Sequence, residues 1–233
     1  MKSQNRVAVD SSIVWSLLFI IIGVAPFSSL WAQATDPNPG RFSNDIATFE
    51  DWDQKNSFKT GAVLFVGSSS IRMWNTAEAF PNTYVINRGF GGSHISDVNH
   101  FYQETVRKYE PSKIFFYTGD NDIAADKTPE QVLEDFEAFV QRVHNDLPGA
   151  EIYYLPIKPS LARWDDWPRM QEANHLIKRY LNKKQKWDYV DTASPMLKPD
   201  GTLKSGIYLD DGLHMNQKGY QLWNKAVQPY LAD

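Results

Sequence analysis

The 233-residue chain carries 24 basic and 28 acidic residues, a formal charge of -4, and no cysteine. That mildly acidic balance argues against a nucleic-acid binder, which concentrates positive charge. Without cysteine there is no disulfide framework, no thiolate metal site and no residue for lipid attachment. The single basic cluster, Lys178, Arg179, Lys183, Lys184 and Lys186, falls late in a predicted helix, where cations complement the negative end of the macrodipole.

The chain opens with Lys2 and Arg6, continues through an apolar run from Ile13 to Val24, and reaches the small-residue pattern Ala32-Gln33-Ala34. This order predicts a secretory signal peptide over residues 1–34, cleaved near Ala34 for export to a periplasm or the exterior. Pro26 and Ser28 break the run too early for a span of about 20 apolar residues, so no stable membrane insertion is expected after cleavage. Loss of Lys2, Arg6 and Asp10 takes the charge from -4 to -5. Residues 35–42 read as a flexible leader, and 43–233 as one domain of about 200 residues, enough for a sizeable core.

Short β-rich apolar runs recur at 62–66, 84–86, 113–117, 151–155 and 188–190. Helical periodicity is clearest over 129–147, where Val132, Phe136, Phe139, Val140 and Val143 share one face. Thr128 and Gln131 have capping-box spacing, Pro129 suits the first helical position, and Pro148-Gly149 stops the helix. Further helices are expected over 46–56, 95–109, 167–184 and 217–231. Strands alternating with helices predict a three-layer α/β/α sandwich with a central, mostly parallel five-stranded sheet. In such sheets, ligands bind beyond the carboxyl ends of the strands.

Those ends carry Gly67-Ser68-Ser69-Ser70 after the first run, Asn87-Arg88-Gly89-Phe90-Gly91-Gly92-Ser93 after the second, and Thr118-Gly119-Asp120-Asn121-Asp122 after the third. Far downstream, Asp211-Gly212-Leu213-His214 supplies a base and a carboxylate three residues apart. A serine hydroxyl needs such a base, and the base needs a carboxylate to fix its tautomer. Glycine N–H groups and an asparagine amide are donors suited to an oxyanion.

In these blocks the sequence resembles the SGNH hydrolases, also called GDSL-type esterases, whose fold is flavodoxin-like. Gly67-Ser68-Ser69-Ser70-Ile71-Arg72-Met73-Trp74 is similar to the first family block, with Ser68 where the family's usual aspartate stands. Alignment on Gly67 and Trp74 implies Ser69 as the nucleophile among three consecutive serines. The resemblance further implies His214 as base, Asp211 as its carboxylate, and an oxyanion hole of the Ser69 and Gly92 N–H groups and the Asn121 amide. Gly91 lies beside Gly92 as an alternative.

Among the other histidines, His144 and His175 read as structural, His100 as a helix-face residue, and His94 as a substrate contact at the site rim. Trp74 and Trp164 read first as core or rim packing and, as candidate substrate-binding residues, as aromatics that stack on a sugar or line an acyl pocket. Lys158 and Arg163 are expected in a substrate-facing loop or in solvent. No cofactor is expected. His94 stands where a dinucleotide loop needs glycine, Gly67–Trp74 lacks the Gly-Lys of a P-loop, and Ala125 occupies the glycine position of a calcium loop. No histidine pair has zinc-site spacing.

The chain therefore reads as an exported serine esterase for small or short-chain esters, including acetyl groups on carbohydrate, acting on a small-molecule or carbohydrate ester. Lysophospholipase or thioesterase activity, or a non-catalytic carbohydrate- or lipid-binding module on this fold, are the alternatives.

Overall fold

The computed structural model describes residues 1, 35–184 and 186–231. Apart from its first residue, the expected signal peptide lies outside the described residues. Five strands form in the expected places: β1 (Val63–Gly67), β2 (Val85–Gly89), β3 (Lys113–Tyr117), β4 (Glu151–Tyr154) and β5 (Trp187–Tyr189). Every neighbouring pair is parallel, and the spatial order is β2-β1-β3-β4-β5. This is the flavodoxin-like order of a doubly wound sheet.

Successive side chains of a strand point to opposite faces. Leu64 and Val66 of β1 accordingly join Ile114 and Phe116 of β3 in one apolar core. Val63, Phe65, Phe115 and Tyr117 join the other. A sheet covered on both faces demands strands that are apolar throughout, which is why Val63-Leu64-Phe65-Val66 shows no polar alternation. The first face is covered by α1 (Ser43–Lys55), α4 (Ile95–His100), α5 (Tyr102–Thr105), α7 (Pro129–Asp146) and α8 (Trp167–Leu181). The second face packs against α2 (Ser69–Arg72), α3 (Thr76–Ala79) and α9 (Gln217–Val227), with Ile71, Trp223 and Val227 buried and Ala79 partly buried there. The result is the expected three-layer α/β/α sandwich.

Local signals set the long helix. Thr128 Oγ1 accepts from the Gln131 N–H at 3.3 Å while Gln131 Oε1 accepts from the Thr128 N–H at 2.8 Å, satisfying two donors that a helix start leaves open. The single helix expected over 95–109 is instead broken. Phe101, with φ -93° and ψ 26°, leaves helical geometry, so that α5 starts afresh and buries Tyr102 completely against Phe139. A 3-10 turn, Arg107–Tyr109, then ends in a left-handed Glu110. Burial of two aromatic rings outweighs continuation of helical hydrogen bonding.

The segment expected as a flexible leader is docked on the domain. Asn38 caps a 3-10 turn, Pro39–Phe42, that buries Phe42 against Phe90 with ring centroids 5.0 Å apart. Asp36 accepts from Ser96 Oγ at 2.6 Å and pairs with Lys127, and Arg41 pairs with Asp97. Its Pro and Gly content signals a turn, and the buried ring and ion pairs that hold the turn down lie tens of residues away in sequence. No helix among the described residues is long and apolar enough to cross a membrane.

The strand register aligns Gly67 with both Gly89 and Tyr117. The loops after β1, β2 and β3 therefore leave the sheet side by side, at one rim.

Candidate active site

The turn out of β1 is built on a glycine. Gly67 has φ +137°, and a Cβ there would stand 1.8 Å from the Tyr117 carbonyl oxygen, so only glycine lets the chain pass this close to β3. The next N–H, of Ser68, then donates to that same carbonyl at 2.9 Å. Ser69 follows as the first residue of α2 and is 8% exposed, whereas Ser68 and Ser70 are 0% and 1% exposed. Of the three serines, only Ser69 presents its hydroxyl to a histidine: His214 Nε2 lies 3.0 Å from Ser69 Oγ.

His214 sits in a tight turn closed by an antiparallel bridge between Tyr208 and Met215. Leu209 N–H donates to the His214 carbonyl at 2.8 Å. Within the turn, Asp211 Oδ1 accepts from the N–H groups of Leu213 (2.8 Å) and His214 (2.9 Å), and Oδ2 lies 2.6 Å from His214 Nδ1. The hydrogen bond from the His214 ring, with the two backbone N–H groups, holds the Asp211 carboxyl down to about 2. Asn216 anchors the turn from behind. Its Oδ1 caps α9 through the N–H groups of Lys218 and Gly219, while Nδ2 donates to the carbonyls of Gly206 and Tyr208.

Gly92, in the loop after β2, adopts φ +85°, and Asn121 is the second residue of α6 (Asp120–Ala124), which follows β3. Among the described residues, the N–H groups of Ser69 and Gly92 have no hydrogen-bond acceptor. The Asn121 amide is engaged: Nδ2 donates to Ser68 Oγ at 2.8 Å and to the Ser93 carbonyl at 3.1 Å. Ser68, standing in the usual aspartate position, is thus a partner of Asn121. Hydroxyl, imidazole and carboxylate form one line that can carry a proton away from an attacking oxygen.

A profile of the GDSL-like Lipase/Acylhydrolase family matches residues 69–222, about two thirds of the chain. The chain belongs to the GDSL-like lipase/acylhydrolase family. It is an ester-hydrolysing enzyme. Among similar proteins, human platelet-activating factor acetylhydrolase IB subunit alpha2 is 27% identical over 201 residues, covering 79% of this chain and 86% of that protein. Two solved structures share the fold. A GDSL-like lipase from Bacteroides thetaiotaomicron aligns with a TM-score of 0.68 at 17% identity, over 83% of this chain and 97% of the other. A variant of an acetyl-xylooligosaccharide esterase from Geobacillus Stearmophilus aligns at 0.62 and 14%, over 76% and 97%.

The residues expected to bind substrate are scattered in this GDSL-like hydrolase. Trp74 is not at the rim: it is 3% exposed, packs edge-on against Phe65 and Trp223, and donates from Nε1 to Asn224 Oδ1 at 2.8 Å. With a hydrogen-bond partner in place, the indole is free to sit in the core. Trp164 is 38% exposed and stacks on Trp167, with centroids 6.4 Å apart. Lys158 and Arg163, read from the sequence as solvated or substrate-facing, both serve the site's framework. Lys158 is buried and donates from Nζ to the Leu213 carbonyl at 2.8 Å, and burial lowers its pKa. Arg163 Nη2 donates to Asn121 Oδ1 at 2.9 Å.

His94 is 5% exposed, too enclosed for the rim contact expected of it. Its backbone N–H donates to Asp97 Oδ2 at 2.8 Å at the start of α4, and its ring lies 3.8 Å from Asp122. Burial, with the cations Lys127 and Arg41 nearby, lowers its pKa from 6.5 to about 4 against the opposing pull of Asp36 and Asp120. Between those two values the unfolded chain binds a proton that the folded chain refuses. The neutral ring's contribution is therefore complete above pH 6.5 and is lost as pH falls through about 4. His94→Gln is expected to flatten the acid side of the stability profile by about 3 kcal/mol. Urea unfolding of both proteins from pH 4 to 7 checks this; parallel profiles would contradict it.

Proposed function

We propose that this acylhydrolase is an exported serine esterase that cleaves small or short-chain carboxylic esters, acetyl esters foremost, through an acyl-enzyme. The observation that carries the mechanism is the 3.0 Å approach of His214 Nε2 to Ser69 Oγ, with Asp211 2.6 Å behind the ring. Ser69 Oγ attacks the ester carbonyl as its proton passes to His214 Nε2, and Asp211 stabilises the imidazolium that forms. The tetrahedral intermediate collapses as His214 returns the proton to the leaving alcohol. Water then attacks the acyl-Ser69 carbonyl, giving its proton to His214, and the carboxylic acid departs with Ser69 restored.

The charge on the tetrahedral oxygen falls to the Ser69 and Gly92 N–H groups and the Asn121 amide. Asn121→Ala is expected to lower kcat for p-nitrophenyl acetate by about 10²- to 10³-fold, with a smaller change in KM, because the lost donor acts on charge that develops only in the transition state. Steady-state kinetics of the variant measure both constants; an unchanged kcat would remove Asn121 from the oxyanion hole.

The acetyl preference is supported by a relative that is a platelet-activating factor acetylhydrolase and by a structural neighbour that is an acetyl-xylooligosaccharide esterase. Trp164, exposed one residue from Arg163, is proposed as a surface for the alcohol portion. A panel of acetylated xylooligosaccharides, acetylated phospholipid analogues and p-nitrophenyl esters of increasing acyl length tests the reading. Turnover highest on acetyl esters supports it, and turnover only on long acyl chains or thioesters overturns it. Export is tested by the mass of the N-terminal peptide in secreted protein, expected to begin near residue 35.

A further inference from the structure

Asn121 is held at both ends of its side chain. Nδ2 donates to Ser68 Oγ and to the Ser93 carbonyl, and Oδ1 accepts from Arg163 Nη2 at 2.9 Å. A guanidinium only donates and a carbonyl only accepts, so Arg163 at one end and Ser93 at the other dictate which way the amide faces. Among the described residues Oδ1 has no other donor. The second arm of the guanidinium, Nη1, lies 3.0 Å from Asp120 Oδ2, an ion pair whose alignment falls short of a hydrogen bond. Asp120 is itself buried, so the fork spans two adjacent residues at the start of α6.

Arg163 belongs to the loop between β4 and α8, and that loop also grips the turn carrying Asp211 and His214. Ala162 N–H donates to the Gly212 carbonyl at 3.1 Å, and Lys158 Nζ to the Leu213 carbonyl. From the turn's own side, Tyr208 Oη donates to the Pro159 carbonyl at 2.7 Å. One loop thus ties the Asn121 amide to the turn that carries the His214 imidazole.

We infer that Arg163 is the positioning residue that aims the Asn121 amide at the developing oxyanion, an assignment that rests on the acyl-transfer reading above. Arg163 touches no reacting atom. Its donation to Oδ1 polarises the amide and strengthens Nδ2–H as a donor, while Ser68 Oγ holds that hydrogen beside Ser69 until a tetrahedral oxygen forms. Lysine cannot replace it, because a single ammonium lacks the planar fork that meets Asp120 and Asn121 together.

The test uses the full mature chain with p-nitrophenyl acetate and a fluorophosphonate label. Arg163→Ala is expected to lower kcat on the order of 10²-fold through misplacement of the amide, with KM changed by less than about twofold. Added guanidinium should restore part of the rate. In the Asn121→Ala background, Arg163→Ala should cost nothing further, since its effect passes through the missing amide. Wild-type kcat in Arg163→Ala, or losses that multiply in the double variant, would overturn the assignment. Should Arg163→Ala fail to fold, Arg163→Lys carries the same comparison: a kcat loss in the wild-type background that vanishes with Asn121→Ala supports the role, and one that persists overturns it. Failure of wild-type Ser69 to label sinks the acyl-transfer reading itself. A labelled wild type beside a fully active Arg163→Ala sinks only the role of Arg163.

Discussion

Ser69→Ala is expected to lower kcat for p-nitrophenyl acetate on the order of 10⁶-fold, the scale set when a nucleophile is removed from a serine–histidine pair. Of the three serines, one stands where a histidine can take its proton. Ser68 Oγ is fully buried and occupied by the Asn121 amide. Ser70 is 1% exposed, and its carbonyl is fixed by Tyr220 Oη at 3.0 Å. Ser69 alone of the three pairs with His214. Ser70→Ala should leave kcat within about tenfold of wild type, and Ser68→Ala should fall between the two because it frees one side of the Asn121 amide. Kinetics of the three alanine variants, with folding checked by circular dichroism, decide the matter. Activity surviving in Ser69→Ala and vanishing in Ser70→Ala would move the nucleophile.

The second large effect is expected at Asp211. Asp211→Asn should reduce kcat by about 10⁴-fold, since an amide can turn its N–H toward His214 Nδ1 and trap the ring in the tautomer whose Nε2 carries a proton. The turn itself should survive, because asparagine Oδ1 can still accept from the Leu213 and His214 N–H groups. In wild type those three hydrogen bonds, His214 first, keep the carboxyl near 2. Asp211 therefore stays ionised at every pH where the enzyme is assayed, and an acid limb of the rate profile above about pH 3 belongs to another group. Pre-steady-state and steady-state rates of Asp211→Asn from pH 5 to 9 measure the loss. A variant within tenfold of wild type would show that His214 is oriented without its carboxylate.

Much of this arrangement is legible in the sequence because it is written locally. Apolar runs of strand length, Thr128 with Gln131, and glycines at strand ends each report on their own neighbourhood, and strand ends of a parallel sheet share a rim by topology. The loops that hold Ser69, Gly92 and Asn121 are therefore legible as neighbours on one rim, and Asp211 with His214 as one turn, while the choice of those three residues within the loops comes from the resemblance to the SGNH hydrolases. What escaped the sequence depends on partners far along the chain. Packing is the first reading of Trp74, but its indole N–H partner, Asn224, stands 150 residues later. Arg163 finds Asn121 from 42 residues away, and Lys158 finds Leu213 from 55. Neither side chain differs in local pattern from a solvated cation. His94 reads as a rim residue beside Gly92 until the packing of α4 encloses its ring. The helix over 95–109 keeps its periodicity on paper, and breaks where burial of Tyr102 requires it.

An activated Ser69 nucleophile should react with a fluorophosphonate, and mass spectrometry of the treated protein detects the adduct. The folded wild-type protein is expected to gain one adduct, located by peptide fragmentation on Ser69, at a rate abolished by Ser69→Ala and strongly slowed by Asp211→Asn. No adduct on the native protein, or one carried by Ser68, Ser70 or a serine outside the rim, would contradict it.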